Sequence, residues 1–303
     1  MNNPQPIWTP KSILEWTEGF FQHKGVPSPR LDAELLLAHV LECRRIDLYL
    51  NYQRPLEAGE LSRFRELVRL RGARKPVAYL LGEAGFWNLT LRVTEDTLVP
   101  SPDTEILVEG ILAAISALRA TAATESPLLA VELGTGTGAV PLAVCSEVEG
   151  IEWIAVERFP AAMAVAAENK RRHANLLTPR GNTLHLVLGD RFESIRPRRP
   201  LHLVAGNPPY IPTGGIDRLM PEVSGHMPRM ALDGGADGED FHRYLLDFAF
   251  GRLAPGGRVL LEMGADQSTS LAAAIEARQG LALVEIRQDL AGYDRVLHGE
   301  KIA

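Results

Sequence analysis

The first quarter of the chain carries apolar residues at the spacing of α-helices. Ser28 followed by Pro29 is a helix-start signal, because serine caps a helix and proline suits its first turn. The apolar positions that follow at helical spacing are Leu31, Leu35, Leu36 and Val40. A second predicted helix ends at Gly72; the spacing of three to four between Leu61, Phe64, Leu67, Val68 and Arg71 makes one of its faces apolar, and the arginines occupy the other. Residues 11 to about 75 are therefore predicted to form a small helical bundle.

Between residues 85 and 93 the pattern changes to alternation of apolar and polar positions. One side carries Trp87, Leu89, Leu91 and Val93, and the other carries Asn88, Thr90 and Arg92. Alternation with period two predicts a strand or hairpin, here placed between two domains. Pro100 and Pro102 then predict an extended segment before a helix from Thr104 through Leu118. Residues 122–127 are predicted to form a connecting loop.

The remainder of the chain alternates short apolar strands with helices. The predicted strands are Leu128–Leu133, Ile151–Val156, Leu184–Leu188, Leu201–Ala205 and Arg258–Met263. The predicted helices are Gly138–Glu147, Pro160–His173, Phe241–Leu253 and Gln267–Arg278. This alternation predicts the α/β fold class, with a parallel sheet covered by helices on both faces. Leu281–Ile286 and Asp294–His298 have no helix between them, which predicts an antiparallel pair at the sheet edge.

The composition agrees with two packed units of a soluble protein. The 303 residues are 46 % apolar and 23 % charged, which excludes disordered and collagen-like chains. Two cysteines, Cys43 and Cys145, cannot build a disulfide scaffold or a four-ligand zinc site. Neither a secretory signal pattern nor a stretch of eighteen apolar residues is present. We therefore expect a cytoplasmic protein that is neither exported nor embedded in a membrane.

Charge is divided unevenly along the chain. The first 80 residues have 12 basic against 9 acidic residues, and the rest have 20 against 29, which gives the total of −6. An acidic C-terminal part argues against direct nucleic-acid binding. One basic cluster is predicted to be a solvated helix face or a dock for an acidic partner; it consists of Arg63, Arg65, Arg69, Arg71, Arg74 and Lys75. The eight scattered histidines and the acidic loop Asp233–Asp240 lack metal-ligand spacing, so no metal site is predicted.

A glycine-rich turn, Gly134-Thr135-Gly136-Thr137-Gly138, lies where the first strand of the alternating part meets a helix. Glycines permit a tight turn and let a ligand approach the backbone, while the helix N-terminus offers free N–H groups. Glu157 ends the next strand, where its carboxylate can accept hydrogen bonds from both ribose hydroxyls. A nucleoside-containing cofactor is predicted. The turn alone leaves its class open, because Gly134-x-Gly136-x-x-Ala139 also satisfies the looser dinucleotide pattern.

The tetrapeptide Asn207-Pro208-Pro209-Tyr210 follows the fourth strand, at the carboxyl edge of the sheet where open α/β folds bind ligands. A dehydrogenase has no use for it, but a methyltransferase does if the acceptor is a planar, conjugated –NH₂ group. The Asn207 side-chain oxygen and the Pro208 carbonyl can accept from the two N–H bonds and stabilise positive charge developing on nitrogen. The prolines make the turn rigid, and Tyr210 offers a flat stacking face. Asp190, after the third strand, is placed to accept from an adenine amino group.

Together with further segments, these motifs resemble the HemK/PrmC family of protein-glutamine N5-methyltransferases, which methylate the glutamine of the Gly-Gly-Gln loop of peptide chain release factors. The resemblance covers nearly the whole chain. The segments that carry it are Ala78–Glu83, Val99–Glu105, Gly134–Gly138, Asn207–Tyr210, Ala231–Gly238 and Asp289–Arg295.

The resemblance implies a class I (Rossmann-like) S-adenosylmethionine-dependent methyltransferase with a seven-stranded, mostly parallel sheet and a small N-terminal helical domain. Its product from the cofactor would be S-adenosylhomocysteine. The residues implied to line the cofactor are Gly134, Thr135, Gly136, Thr137, Gly138, Glu157, Asp190, Arg191 and Asn207. The residues implied to hold the glutamine amide are Asn207, Pro208, Pro209 and Tyr210, with Asn207, Pro208 and Tyr210 catalytic. Leu98 lies where family members often place an apolar residue against the cofactor.

The sequence also predicts three domains or segments. Residues 1–80 are expected to form a helical substrate-recognition domain, residues 81–98 a β-hairpin linker, and residues 99–303 the methyltransferase domain. A monomer that acts on release factors is expected. Ser101 replaces the usual arginine of the family, and Met227 replaces its usual acidic residue before proline. Both changes remove a charge, so docking of the partner or the geometry of the site entrance is expected to differ from the family norm.

Three other functions remain open from the sequence. Glutamine of a ribosomal protein is an alternative acceptor, because enzymes of that kind share the domain plan and the tetrapeptide. Adenine N6 of a nucleic acid is a second alternative, since its amino group is also planar and offers two donors, although the acidic C-terminal part disfavours it. A noncatalytic binding protein that has kept the fold is the third.

Overall fold

The computed structural model describes residues 7–121 and 127–302, so the predicted loop 122–127 lies outside the described residues except for Pro127. The chain divides into two compact units. The first contains the residues up to Gly82 together with the distant segment Met220–His226. The second contains Glu83–Leu219 and the residues from Met227 onward.

The first unit is a helical bundle, as its apolar spacing predicts. Its helices are α1 (Pro10–His23), α2 (Pro29–Val40), α3 (Arg45–Leu50), α4 (Ala58–Gly72) and α5 (Val77–Leu81), with α10 (Pro221–Ser224) from the distant segment. The helix α2 starts with Pro29 directly after Ser28, and α4 ends at Gly72, both as predicted. Its core is aromatic and aliphatic, and its largest fully buried members are Leu14, Phe21, Leu36, Leu37, Leu48 and Phe64.

A buried ion-pair cluster joins α2, α4 and α10. The Arg71 Nε donates to Asp32 Oδ2 at 2.7 Å, and its Nη2 donates to Glu222 Oε1 at 2.9 Å. Arg74 binds both oxygens of Glu222 at 2.7 and 2.5 Å. The prediction that these two arginines belong to a solvated face is wrong, because α4 turns Arg71 inward with its apolar neighbours. The prediction of a solvated face holds for Arg69, which pairs with the exposed Glu66 of the same helix.

The second unit begins with the predicted hairpin, formed by β1 (Glu83–Phe86) and β2 (Leu89–Arg92) in antiparallel pairing. Trp87 occupies the turn with a positive φ of 56°, and its backbone N–H donates to Glu105. Leu89 and Leu91 are buried and pack in the larger core with the helix α6 (Pro102–Thr121), whose first turn begins two residues before the predicted Thr104.

The rest of this unit is a seven-stranded sheet. Its strands are β3 (Leu128–Leu133), β4 (Ile151–Glu157), β5 (Thr183–Leu188), β6 (Leu201–Gly206), β7 (Leu253–Glu262), β8 (Leu281–Gln288) and β9 (Asp294–Lys301), in the spatial order β5-β4-β3-β6-β7-β9-β8. The strands β3 to β7 pair in parallel, and β9 runs antiparallel to both β7 and β8. The predicted α/β class and the antiparallel pair at the edge are confirmed, with element ends within a few residues except for β7, which begins five residues early.

Helices cover both faces of this sheet. They are α7 (Ala139–Glu147), α8 (Pro160–Arg172), α9 (Ala174–Leu177), α11 (Asp240–Arg252) and α12 (Ser268–Glu276), in addition to α6. Successive side chains of a strand point to opposite faces. Accordingly Leu128 and Ala130 of β3 pack into one core, and Leu129, Val131 and Leu133 pack into the other. Within the described residues, no helix has both the length and the apolarity to cross a membrane.

Candidate active site

The chain reverses its direction of winding between β3 and β6, and a cavity of about 580 Å³ lies at the carboxyl ends of these strands. Ligands of open α/β sheets bind at such a switch point. The lining includes these residues singled out in the sequence: Leu98, Gly134, Thr135, Gly136, Thr137, Glu157, Asp190, Arg191, Asn207, Pro208 and Pro209. Tertiary folding therefore brings together segments that are more than 100 residues apart in the chain.

The glycine turn between β3 and α7 takes a backbone path that favours glycine. Gly134, Gly136 and Gly138 have φ values of 74°, 54° and 78°, a region that other residues rarely enter. Asn169 of α8, fully buried, supports the turn by donating to the Thr137 carbonyl at 2.8 Å. The same side chain also bonds the backbone N–H and carbonyl of Arg92 in the hairpin. A single buried amide thus fastens the turn to its surroundings.

Glu157 lies at the end of β4, facing the cavity. Its Oε2 accepts from the Gly136 N–H at 3.0 Å, and its Oε1 accepts from the Phe159 N–H at 3.0 Å. These bonds hold the carboxylate against the glycine turn. Because each carboxylate oxygen can accept more than one hydrogen bond, both keep capacity for a ligand hydroxyl.

Asp190 and Arg191 follow β5 and reach the same cavity from the other side. Asp190 is largely exposed and lies 3.8 Å from Arg158. Arg191 has a positive φ of 51°, and its guanidinium lies over the Tyr244 ring at 4.8 Å from the centroid. Such cation–π contacts restrain an exposed arginine. Arg191 is thereby held at the rim of the cavity.

Asn207 is the first residue after β6 and lies at the centre of this edge. Its Nδ2 donates to the Thr104 hydroxyl oxygen at 3.1 Å. Because the nitrogen of the amide is engaged with Thr104, the oxygen is the acceptor that the side chain offers to a ligand. This is the orientation that the predicted chemistry needs.

Tyr210 and Gly138 differ from the other predicted site residues, since neither is among the described residues that line the cavity. The Tyr210 hydroxyl points toward β7 and donates to Glu262 Oε1 at 3.4 Å. Burial raises the pKa of this phenol well above its usual value, so it stays protonated and remains a donor. Gln267 donates to the Tyr210 carbonyl at 3.0 Å and fixes the backbone of the tetrapeptide. That Tyr210 stacks on a substrate amide remains a prediction.

Two kinds of comparison place this chain among known proteins. A model of the PrmC N-terminal domain matches residues 12–82. A release factor glutamine methyltransferase of Geobacter sulfurreducens is 37 % identical over 300 residues, which cover 99 % of this chain and 99 % of that protein. The release factor glutamine methyltransferase of Rhodopirellula baltica is 36 % identical and covers 97 % of each chain. This chain belongs to the release factor glutamine methyltransferase family. The predicted family and class of enzyme are confirmed.

The fold of this methyltransferase is also found in more distant proteins. The catalytic domain of hMettl16, solved in complex with the MAT2A 3'UTR hairpin 1, aligns with a TM-score of 0.53 and 15 % identity. The alignment covers 72 % of this chain and 76 % of that chain. At this level of identity the likeness concerns the fold alone.

Glu132 is a further residue of the candidate site that the sequence motifs do not indicate. It lies in the middle of the apolar strand β3, is fully buried and lines the cavity. Burial, together with the nearby charge of Glu157, raises the pKa of its carboxyl to about 8, although Thr135 and Trp153 act in the opposite direction. Its Oε2 has no hydrogen-bond partner among the described residues. One acidic residue in an otherwise apolar strand was the available signal, since such a residue needs a reason to be buried.

The raised pKa of Glu132 makes the stability of the protein depend on pH. The folded chain holds this proton more tightly than the unfolded chain, so the free energy of unfolding falls as pH rises from about 4.5 to about 8. As pH rises from 5 to 9, we expect the free energy of unfolding of Glu132→Gln to increase by a few kcal/mol relative to that of the wild type, measured by urea unfolding. Glu276→Gln, at an exposed carboxylate, is the control. A constant difference between Glu132→Gln and wild type across this range would contradict the assignment.

The segment Ala231–Gly238 supports the tetrapeptide from behind. A Cβ on Gly234 would lie 2.6 Å from the Gly238 carbonyl oxygen and 2.7 Å from that of Pro209. Gly234→Ala is therefore expected to lower the free energy of unfolding by ~1–3 kcal/mol and to shift the backbone amide signal of Tyr210. Gly214→Ala is the matched control, because nothing lies within 4 Å of its added Cβ. Equal stability of the two variants would refute this packing role.

Proposed function

We propose that this protein transfers a methyl group from S-adenosylmethionine to N5 of the glutamine in the Gly-Gly-Gln motif of peptide chain release factors. The observation that carries the proposal is the position of Asn207, whose amide oxygen is available as an acceptor at the cavity. The same cavity is lined by the glycine turn and by Glu157, whose carboxylate suits ribose hydroxyls. Relatives that match nearly the full chain bear the corresponding name.

The residues present suit S-adenosylmethionine. The cavity volume falls within the range of small-molecule sites. A Cβ built on Gly134 meets nothing within 4 Å, so this side of the turn is open to a ligand. Glu157 would accept from the ribose hydroxyls, Asp190 from the adenine amino group, and Leu98 and Phe241 would supply apolar walls. Arg191 and the turn from Gly134 to Gly138 would complete the binding site. When bound, the cofactor supplies an electrophilic methyl group on its sulfonium.

The tetrapeptide would prepare the acceptor nitrogen. An amide nitrogen is a poor nucleophile because its lone pair is conjugated with the carbonyl. The Asn207 Oδ1 and the Pro208 carbonyl would accept from its two N–H bonds and stabilise the positive charge that develops as the C–N bond forms. Tyr210 would give the amide a flat surface, and Pro209 would keep the turn rigid. The proton leaves to solvent after transfer, so no general base is required.

We further propose that the helical unit of residues 1–80 recognises the release factor, and that residues 81–98 act as the β-hairpin linker to a methyltransferase domain of residues 99–303. The proposed enzyme acts as a monomer in the cytoplasm, where its substrate is found. The negative net charge of the C-terminal part supports a protein substrate over a nucleic acid.

The test is incubation of the protein with labelled S-adenosylmethionine and a full-length release factor. We expect one methyl group per chain, located by mass spectrometry on the Gly-Gly-Gln glutamine. Parallel reactions contain ribosomal proteins of the large subunit, or DNA and RNA. Faster transfer to a ribosomal glutamine, or to adenine, would overturn the proposed substrate.

A further inference from the structure

Two buried polar residues behind the tetrapeptide have no place in the chemistry described so far. Thr104 lies in the first turn of α6, is 4 % exposed, and accepts the hydrogen bond from Asn207 Nδ2. Glu262 ends β7, is 1 % exposed, and accepts from the Tyr210 hydroxyl. The Thr104 hydroxyl lies close enough to the Glu262 carboxyl to lower its pKa, against the larger effect of burial. Two hydrogen-bonded pairs, Asn207 with Thr104 and Tyr210 with Glu262, are therefore neighbours behind the tetrapeptide.

A buried carboxyl at such a place needs a reason, because its desolvation is costly unless it is fully bonded. The Oε2 of Glu262 has no partner of regular hydrogen-bond geometry within the described residues. Nearby charges do not compensate for the burial of the carboxylate, since Asp103 of α6 raises its pKa while Arg295 of β9 lowers it. His242 of α11 contacts the Glu262 backbone carbonyl, not the carboxyl. The carboxyl therefore faces mainly the two hydroxyls of Thr104 and Tyr210.

We propose that Thr104 and Glu262 are positioning residues that set the orientation of the Asn207 amide and anchor the Tyr210 ring, an inference that rests on the proposed function of the tetrapeptide. A carboxylate has no donor, so it draws the hydroxyl proton of Thr104 toward itself. The Thr104 oxygen is then left as an acceptor, and it can bond the nitrogen of Asn207 but not its oxygen. The Asn207 oxygen is directed away from Thr104, as required for gripping a substrate amide.

Protonation of Glu262 removes the preference for this orientation of the Asn207 amide. A neutral carboxyl can donate to Thr104, whose own hydroxyl proton is then free to bond the Asn207 oxygen in the flipped amide. Burial raises the pKa of Glu262 to about 7, so the change falls in the physiological range. We therefore expect kcat of the wild type to rise as pH increases through about 7.

Substitutions of Thr104 test the orientation directly. Thr104→Val keeps the shape and removes the hydroxyl, so we expect kcat to fall by about 10- to 100-fold with little change in S-adenosylmethionine affinity. Thr104→Ser keeps the hydroxyl and is expected to retain most of the activity. A Thr104→Val variant with wild-type kcat would overturn the proposal, and so would equal losses in both variants.

Substitution of Glu262 tests the pH dependence. Glu262→Gln is expected to lose the rise of kcat near pH 7, whereas Glu276→Gln, at an exposed carboxylate of α12, is expected to keep it. A pH profile unchanged in Glu262→Gln would contradict the proposed role.

A readout without turnover separates this proposal from the proposed function. In the ¹⁵N-labelled protein, the side-chain NH₂ signals of Asn207 are identified by their loss in Asn207→Ala. We expect these signals to shift with a midpoint near pH 7 in the wild type and to lose this shift in Thr104→Val and Glu262→Gln. If the shift is present but the release factor is not methylated, the proposed function fails and the positioning role stands. If methylation occurs and the shift is absent, the positioning role fails.

Discussion

Asn207→Ala is expected to lower the rate of methyl transfer by about two to three orders of magnitude. In the proposed mechanism the variant loses one of the two acceptors at the reacting nitrogen, and loss of one such preorganised group typically costs ~2.7–4 kcal/mol in barrier height. The fold is expected to persist, because within residues 7–121 and 127–302 the Asn207 side chain makes one hydrogen bond, to Thr104, beside the cavity. Single-turnover rates with saturating release factor and S-adenosylmethionine measure the effect on the chemical step.

The control for this variant is Asn175→Ala, which makes the same substitution at an exposed position of α9. We expect it to keep the wild-type rate. Circular dichroism and thermal unfolding of both variants establish that the fold is retained. An Asn207→Ala rate within twofold of the wild type would mean that the tetrapeptide does not grip the substrate amide by this side chain.

Arg71→Leu is expected to destabilise the helical unit by ~3–5 kcal/mol, because removal of one partner leaves buried charge uncompensated. Arg71 is 4 % exposed and bonds both Asp32 and Glu222. In the variant, Arg74 still pairs with Glu222, whereas Asp32 has lost the arginine that offsets its burial. Hydrogen exchange of amides in α2 and α4 of the full chain reports the stability of this unit.

Arg69→Leu is the matched control on the same helix. Arg69 pairs with Glu66, and both side chains are more than half exposed, so solvent screens the pair and the protection of α2 and α4 is expected to stay close to that of the wild type. Equal protection of α2 and α4 in the two variants would show that the buried cluster does not stabilise the bundle. Replacement of Asp32 and Arg71 together by apolar residues is expected to recover part of the loss, since no unpaired carboxylate remains at position 32.

Much of the fold could be predicted because its signals are local. The strand β3 is an apolar run apart from Glu132, and its observed bounds match those predicted from the sequence. The helix α2 starts at the Ser28–Pro29 signal. The hairpin follows from alternation between residues 85 and 93. In each case the residues that define the element lie within a few positions of one another, so a short window holds the information.

Other features depend on residues far apart in sequence. Arg71 appears both in an apolar helix face and in a basic cluster, and neither pattern reveals Glu222, 151 positions away, as its partner. Thr104 reads as a helix start, and its contact with Asn207 spans 103 positions. Tyr210 was predicted as a stacking surface, while its anchor Glu262 lies in another strand.

The sequence by itself determined the order of helices and strands, the family, and the tetrapeptide and glycine turn at the ends of two strands. These follow from short-range spacing and from motifs whose backbone demands are local. The tertiary structure decided which buried charges are paired, which way the Asn207 amide points and which carboxyls titrate near neutral pH. These depend on desolvation and on hydrogen-bond partners supplied by distant segments, which meet only when the sheet and its helices pack.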